Sequence, residues 1–68
     1  MLYKRELTGR EMSILVFAAD GLKNREIAQK LGVSEQAVKN HLSALYRKIG
    51  ARDKAHAIAI AMRTNLIA

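Results

Sequence analysis

Five polar side chains between residues 36 and 47 recur at helical spacing, so a helix would place them on one side. Each can donate a hydrogen bond, two are cations, and none is an acid. We call this set the donor stripe, and its members are Gln36, Lys39, Asn40, Ser43 and Arg47. A row of donors without acids suits the major groove of B-DNA, where base-edge acceptors lie between two rows of phosphates. The pattern predicts recognition of an acceptor-rich surface.

Other residues with reactive side chains are too few or too scattered to predict catalysis. The histidines are His41 and His56, and the chain has no cysteine, so a metal site would lack ligands. Glu11 and Glu26 could form a carboxylate pair, but each has the spacing of a capping box at the start of a predicted helix. We therefore expect no enzyme, no metal and no cofactor or small-molecule ligand.

The donor stripe requires one long helix over residues 34–49. Ser34 is placed to cap its first turn through the hydroxyl oxygen, and Gly50 stands where a helix commonly ends in a left-handed residue. A separate apolar stripe at helical spacing would face the core. Its members are Val38, Leu42, Leu45 and Ile49.

Two shorter helices are predicted before it. Thr8 and Glu11 have capping-box spacing at the start of the first, which Asp20 and Gly21 end. The second runs from Lys23 to Leu31, with either Lys23 or Asn24 at its start. Gly32 then allows a tight corner into the long helix. The expected buried residues are Ile14, Leu15, Phe17 and Ala18 in the first helix and Ile27, Ala28 and Leu31 in the second.

A fourth helix is predicted from Lys54 to Asn65, with Asp53 as its N-cap. It is apolar on nearly every side, although a surface helix needs only one apolar stripe. Ile58, Ala61 and Met62 share one side, while Ala57 and Ile60 lie on another. The second side either covers a partner or is wrapped by the first and third helices. The fold class is therefore all-α: a compact four-helix domain that contains a helix-turn-helix, with the fourth helix as the expected dimer face.

Length and charge limit the number of domains and the possible functions. The 68 residues allow one small domain, here 8–68 after a flexible lead at 1–7. The net charge is +6, and eight of the basic residues but only three acids fall between Gly21 and Lys54. Such a basic region is the electrostatic signature of nucleic-acid binding, although solvated surface lysines would give the same count. No apolar run approaches the length of a membrane span, and we expect a cytoplasmic protein.

Six short motifs, in order and at family spacing, resemble the LuxR-type helix-turn-helix domain of bacterial transcription regulators. They are Leu7-Thr8-Gly9-Arg10-Glu11, Gly21, Asn24-Arg25-Glu26-Ile27-Ala28, Leu31-Gly32-Val33-Ser34, Val38-Lys39-Asn40-His41-Leu42 and Lys48-Ile49-Gly50. The resemblance covers about Leu7 to Ala61. It implies a four-helix domain that binds double-stranded DNA at the bacterial nucleoid, with the third helix in the major groove and the fourth helix forming a homodimer.

The resemblance also implies roles for single residues. Lys39, Asn40 and Ser43 would face base edges. The expected phosphate contacts are Lys23, Asn24, Ser34, Gln36, Arg47 and Lys48. The expected dimer contacts are Ala57, Ile60, Ala61 and Thr64.

Two other functions fit part of the sequence. Region 4 of bacterial sigma factors has a similar Glu-Ile-Ala, Leu-Gly-Val-Ser and Val-Lys core, and it would add RNA polymerase as a partner. It does not usually carry an alanine-rich fourth helix, so residues 53–62 favour the LuxR type. The other alternative is a helical protein-interaction module, which would not bind DNA.

Overall fold

The computed structural model describes residues 7–66, and these form four helices. They are α1 (Gly9–Ala19), α2 (Asn24–Leu31), α3 (Glu35–Ile49) and α4 (Lys54–Arg63). No strand occurs in that part of the chain, which confirms the all-α prediction. Of the predicted flexible lead at 1–7, all but Leu7 lies outside the described residues, as do positions 67–68 of the predicted domain.

Local capping chemistry sets where α1 begins. The Thr8 hydroxyl oxygen accepts a hydrogen bond from the Glu11 amide at 3.1 Å, and Glu11 Oε1 accepts one from the Thr8 amide at 2.9 Å. This reciprocal pair is the predicted capping box, and it satisfies two amides that the helix itself cannot bond.

The remaining helix starts follow the same chemistry, with one correction. Ser34 Oγ accepts from the Ala37 amide at 3.0 Å, and Asp53 Oδ1 accepts from the His56 amide at 2.8 Å. At α2 the N-cap is Lys23, whose amide donates to Glu26 Oε1 at 2.8 Å. The alternative in which Asn24 caps this helix is wrong, because Asn24 is already the first helical residue.

The corner between α2 and α3 is a three-residue turn. Gly32 has φ 68°, a left-handed conformation that costs glycine little, and its amide donates to the Ala28 carbonyl. The Val33 amide bonds to the same carbonyl at 3.1 Å. Val33 itself packs, half-buried, against the core. This tight turn joins the two helices as a helix-turn-helix.

The core lies where α1 and α3 meet, since each of these two helices packs against the other three. The apolar stripe of α3 is buried along its whole length, as predicted. The fully buried side chains of largest volume are Ile14, Leu15, Ile27, Leu45 and Val38. Phe17 and Leu31 are only partly buried at its edge.

The predicted faces of α4 are partly wrong. Ala57 and Ala61 are 1% and 0% exposed and belong to the core of the single chain, whereas Met62 is 58% exposed. The reason is steric: small residues four apart let α4 approach α1 and α3 closely, and interhelical distance depends on the side chains at the contact. The helix also ends at Arg63, two residues before the predicted end at Asn65.

The segment after α4 turns back onto the core. Asn65 has φ 59°, a left-handed conformation that asparagine tolerates better than most residues. The Leu66 amide then donates to the Ala61 carbonyl at 2.8 Å. As a result Leu66 is 5% exposed and extends the apolar cluster beyond the helix end.

Candidate nucleic-acid interface

Helix α3 presents the donor stripe to solvent. All five of its side chains are exposed, and the apolar stripe on the other side of the helix is buried. Successive residues of a helix are separated by about 100° around its axis, which explains how one helix holds the core on one side and leaves the donors free on the other. The structure thus brings together the three predicted base-facing residues, Lys39, Asn40 and Ser43.

Two side chains of the donor stripe form a hydrogen bond with each other. Gln36 Nε2 donates to Asn40 Oδ1 at 3.0 Å, one helical turn away. The Asn40 oxygen keeps a second lone pair and its amide nitrogen keeps both hydrogens. The bond therefore orients the Asn40 side chain without using up the donor–acceptor pair that could recognise adenine.

The predicted phosphate contacts fall into two groups. Lys23, Ser34, Gln36 and Arg47 are exposed. The Ser34 hydroxyl accepts the cap bond described above and can still donate its own hydrogen. Arg47 lies in the last turn of α3 and on the donor stripe. These side chains are free to reach a ligand.

Asn24 belongs to the second group, because it is half-buried. Its side-chain oxygen Oδ1 is buried, and no donor among residues 7–66 reaches it. A phosphate accepts hydrogen bonds, so only the amide nitrogen of Asn24 could serve one. An unpaired buried acceptor has a free-energy cost.

Lys48, the other member of this group, has a partner that the sequence did not predict. Its Nζ lies 2.7 Å from Glu11 Oε1, on the first turn of α1. The side chains are 33% and 5% exposed, respectively. Burial alone would raise the pKa of the Glu11 carboxyl. The hydrogen bond and charge of Lys48, together with the bonds from Thr8, outweigh burial and hold this pKa below its ordinary value of 4.5.

A weak signal for the Lys48 contact exists in the sequence. Lys48 lies seven residues after His41 and therefore on the same side of α3, about 100° from Arg47 around the axis. His41 and Lys48 are both half-buried, while Arg47 is exposed. Helical spacing therefore separates Lys48 from the donor stripe, as the sequence analysis did, although it could not have identified Glu11 as the partner.

The other residues with reactive side chains have structural contacts. His56 Nδ1 accepts a hydrogen bond from the backbone amide of Arg52 at 3.1 Å and so helps to shape the link before α4. Tyr46 packs, half-buried, against the core; burial, followed by the charge of Asp53, raises the pKa of its phenol above 10.0. Among residues 7–66 no group of three or more potential metal ligands is gathered.

None of the described helices has the length and apolar composition required to cross a membrane.

Comparison with known proteins agrees with the four-helix fold. The family described as bacterial regulatory proteins, luxR family, matches residues 5–61. The chain belongs to the LuxR family. This LuxR-type domain has four helices with the helix-turn-helix at α2 and α3, so the family assignment confirms the resemblance drawn from the sequence motifs.

LuxR-family relatives include regulators from several bacteria. The chain is 42% identical over 62 residues to the transcriptional regulatory protein YdfI of Bacillus subtilis, covering 91% of this chain and 29% of that protein. It is 39% identical over 61 residues to the response regulator VraR of Staphylococcus aureus, covering 90% and 29%. It thus spans less than a third of the length of these relatives.

A solved structure shows the same LuxR-type fold. The response regulator ChrA of a heme-sensing two-component system superimposes with a TM-score of 0.86 and 43% sequence identity. The match covers 90% of this chain and 30% of ChrA. The likeness supports the arrangement of all four helices, including α4, which the sigma-factor alternative does not usually contain.

Proposed function

We propose that this LuxR-type domain binds double-stranded DNA in a sequence-specific manner, as the DNA-binding part of a bacterial transcription regulator. The observation that carries the proposal is the exposed, acid-free donor stripe of α3. It stands on the outer side of a helix whose opposite side is fixed in the core. An exposed helix of this kind fits the major groove, which is wide enough to admit it.

Within this proposal the donor stripe supplies sequence choice. Lys39 can donate to guanine O6 or N7, and Asn40 can pair with adenine N6 and N7 in a bidentate manner. Ser43, one turn further along, can bond to either purine. The bond from Gln36 supports this role, since it holds the Asn40 side chain in one orientation before DNA is bound.

Affinity would come mainly from the phosphates on either side of the groove. The exposed cations Lys23 and Arg47 would neutralise phosphates, and Ser34, Gln36 and the amide nitrogen of Asn24 would donate to them. Such contacts fix the position of α3 on the duplex and carry no sequence information. Catalysis plays no part in this mechanism, and the site of action would be the nucleoid in the bacterial cytoplasm.

We also infer that two copies assemble through α4, but without Ala57 and Ala61 of the set expected from the sequence. Ala57 and Ala61 are core residues, and the Thr64 hydroxyl donates to the Ile60 carbonyl of its own helix at 2.8 Å. The apolar residues of α4 that are not buried in the core are Ala55, Ile58, Ala59, Ile60 and Met62, of which Ile58 and Ile60 are half-buried. The resemblance implies that α4 of a second copy covers these residues.

Duplex binding measured over a range of salt concentrations tests the proposed function. Each phosphate neutralised contributes about −0.9 to the slope of log affinity against log salt. With Lys23 and Arg47 as cationic contacts, the slope should be about −1.8 or steeper for each bound copy. A flat plot would reject DNA binding and favour the protein-interaction module. Binding that requires RNA polymerase would favour the sigma-factor alternative.

Selection of bound duplexes from a random pool tests the dimer. If two copies bind around a two-fold axis, the selected site should be an inverted repeat with half-site centres about 34 Å apart or a multiple of that distance. A single asymmetric half-site would leave DNA binding intact and contradict assembly through α4.

A further inference from the structure

The contact between Lys48 and Glu11 joins two parts of the chain that have no local reason to meet. The residues are 37 positions apart, one in the last turn of α3 and the other in the first turn of α1. Glu11 is the one buried charged residue within 7–66. A buried carboxylate needs partners, and removing one from such a pair leaves an uncompensated charge.

The Glu11 carboxylate is also held firmly in place. Oε1 accepts from the Thr8 amide at 2.9 Å as well as from Lys48 at 2.7 Å, and the Thr8 hydroxyl accepts from the Glu11 amide at 3.1 Å. The capping box thus fixes the side chain that receives Lys48. The ammonium of Lys48 thus has a fixed partner on α1, which ties the last turn of α3 to the first turn of α1.

Lys48 and its neighbour Arg47 have different environments. Arg47 is exposed on the donor stripe, and no partner of its side chain is found among the described residues. Lys48 points away from that stripe, toward α1. Adjacent basic residues on one helix therefore present one charge to solvent and one charge to the first turn of α1.

We propose that Lys48 is a positioning residue: its ion pair with Glu11 sets how α3 lies on α1, and it makes no phosphate contact. This inference rests on the proposed function, because what α3 positions is the donor stripe. It differs from the role that the sequence resemblance implied for Lys48. Hydrogen bonds to base edges need closer geometry than the attraction of a cation to phosphates, so a loosened α3 would impair base contacts more than contacts with the phosphate backbone.

The variant Glu11→Gln should change the affinity for DNA in opposite directions, depending on whether Lys48 contacts phosphate or positions α3. If Lys48 contacted phosphate, removing the Glu11 charge would free the ammonium and lessen repulsion of DNA, and binding would tighten. If Lys48 positions α3, the same change loosens the helix, and affinity for the selected duplex should fall about tenfold, equivalent to ~1.4 kcal/mol. Glutamine keeps an acceptor for the Thr8 amide, so the capping box is retained.

The experiment compares Glu11→Gln, Lys48→Met, the double variant and Arg47→Ala in the full chain. Each is titrated with the selected duplex and with an unrelated duplex over a range of salt. Lys48→Met should weaken binding to the selected duplex more than to the unrelated one and leave the salt slope unchanged. The double variant should be no weaker than either single variant. Arg47→Ala, the matched control, should reduce the slope by about 0.9.

Three results separate the possible conclusions. Tighter binding by Glu11→Gln, or a slope reduced by about 0.9 in Lys48→Met, would overturn the positioning role. A flat slope for the unaltered chain would instead reject the proposed function. If a variant fails to fold, the unaltered chain decides: the NMR shift of the Glu11 carboxyl carbon at neutral pH should be the same free and DNA-bound, and a change would show that Lys48 leaves for a phosphate.

Discussion

Helices α3 and α4 each bury one side against the core, but different residue patterns decide which side is buried. In α3 the apolar residues form one stripe and the donors another, so only one rotation of the helix buries the first and exposes the second. In α4 apolar residues lie on nearly every side, and the inward side consists of Ala57 and Ala61 while the larger Met62 faces out. The orientation of α3 follows from polarity, and that of α4 follows from size.

The largest expected effect is the loss of stability when a charge is placed on the inner side of α4 and not on its outer side. Ala61→Glu should abolish cooperative folding, since it places an unpaired carboxylate at a fully buried position, at a cost of several kcal/mol. That is a large part of the whole stability of a domain this small. Thermal unfolding followed by circular dichroism measures it.

Met62→Glu, at the next position, is the matched control. Because Met62 is exposed, the variant should remain folded, with stability changed by no more than about 0.5 kcal/mol. Its self-association, measured by sedimentation, should weaken. A folded Ala61→Glu or an unfolded Met62→Glu would reverse the assignment of the two sides.

The next largest expected effect is the pH-dependent stability that the ion pair between Glu11 of α1 and Lys48 of α3 contributes. The pKa of Glu11 is depressed in the folded chain, so its ion pair contributes stability that is complete above the ordinary value of 4.5 and is lost as the pH falls through the folded value. At neutral pH, Glu11→Gln should cost about 1.5–3 kcal/mol, as for a hydrogen bond to a charged group.

Urea unfolding at a series of pH values checks this effect. The difference in unfolding free energy between the unaltered chain and Glu11→Gln should be greatest at neutral pH and should shrink as the pH falls below 4.5. Repulsion among the other cations acts on both chains and cancels in the difference. A difference that is constant with pH would mean that the carboxylate charge contributes nothing.

The smallest effect distinguishes two serines of the α3 region. Ser34→Ala removes the cap bond to the Ala37 amide and should cost about 1 kcal/mol. Ser43→Ala makes the same change on the exposed donor stripe and should shift stability by no more than about 0.5 kcal/mol. Equal losses in chemical denaturation would show that the Ser34 hydroxyl does not cap the helix.

Much of the fold could be predicted from the sequence because its determinants are local. The bonds of Thr8 with Glu11, of Ser34 with Ala37 and of Asp53 with His56 each span three residues. The separation of polar and apolar residues in α3 then identified both the core and the donor stripe. Patterns that repeat every turn need no knowledge of the rest of the chain.

The features that could not be predicted depend on contacts between distant elements. The partner of Lys48 is 37 residues away, and only the packing of α1 on α3 brings the two together. The sequence grouped Met62 with the buried Ala61 and left open whether Ala57 faces a partner or the core, because hydrophobicity does not rank apolar faces when every face is apolar. The contacts with DNA bases, with phosphates and with a second copy stay predictions.

The most direct test of the central claim is titration of Lys39→Ala and Asn40→Ala against the selected duplex and an unrelated duplex at one salt concentration. Both residues are exposed, so stability should change by no more than about 0.5 kcal/mol. Each variant should lose about 1–3 kcal/mol on the selected duplex and much less on the unrelated one. Lys30→Ala, an exposed lysine of α2, is the control. Equal losses on both duplexes, or none on either, would contradict base recognition by the donor stripe.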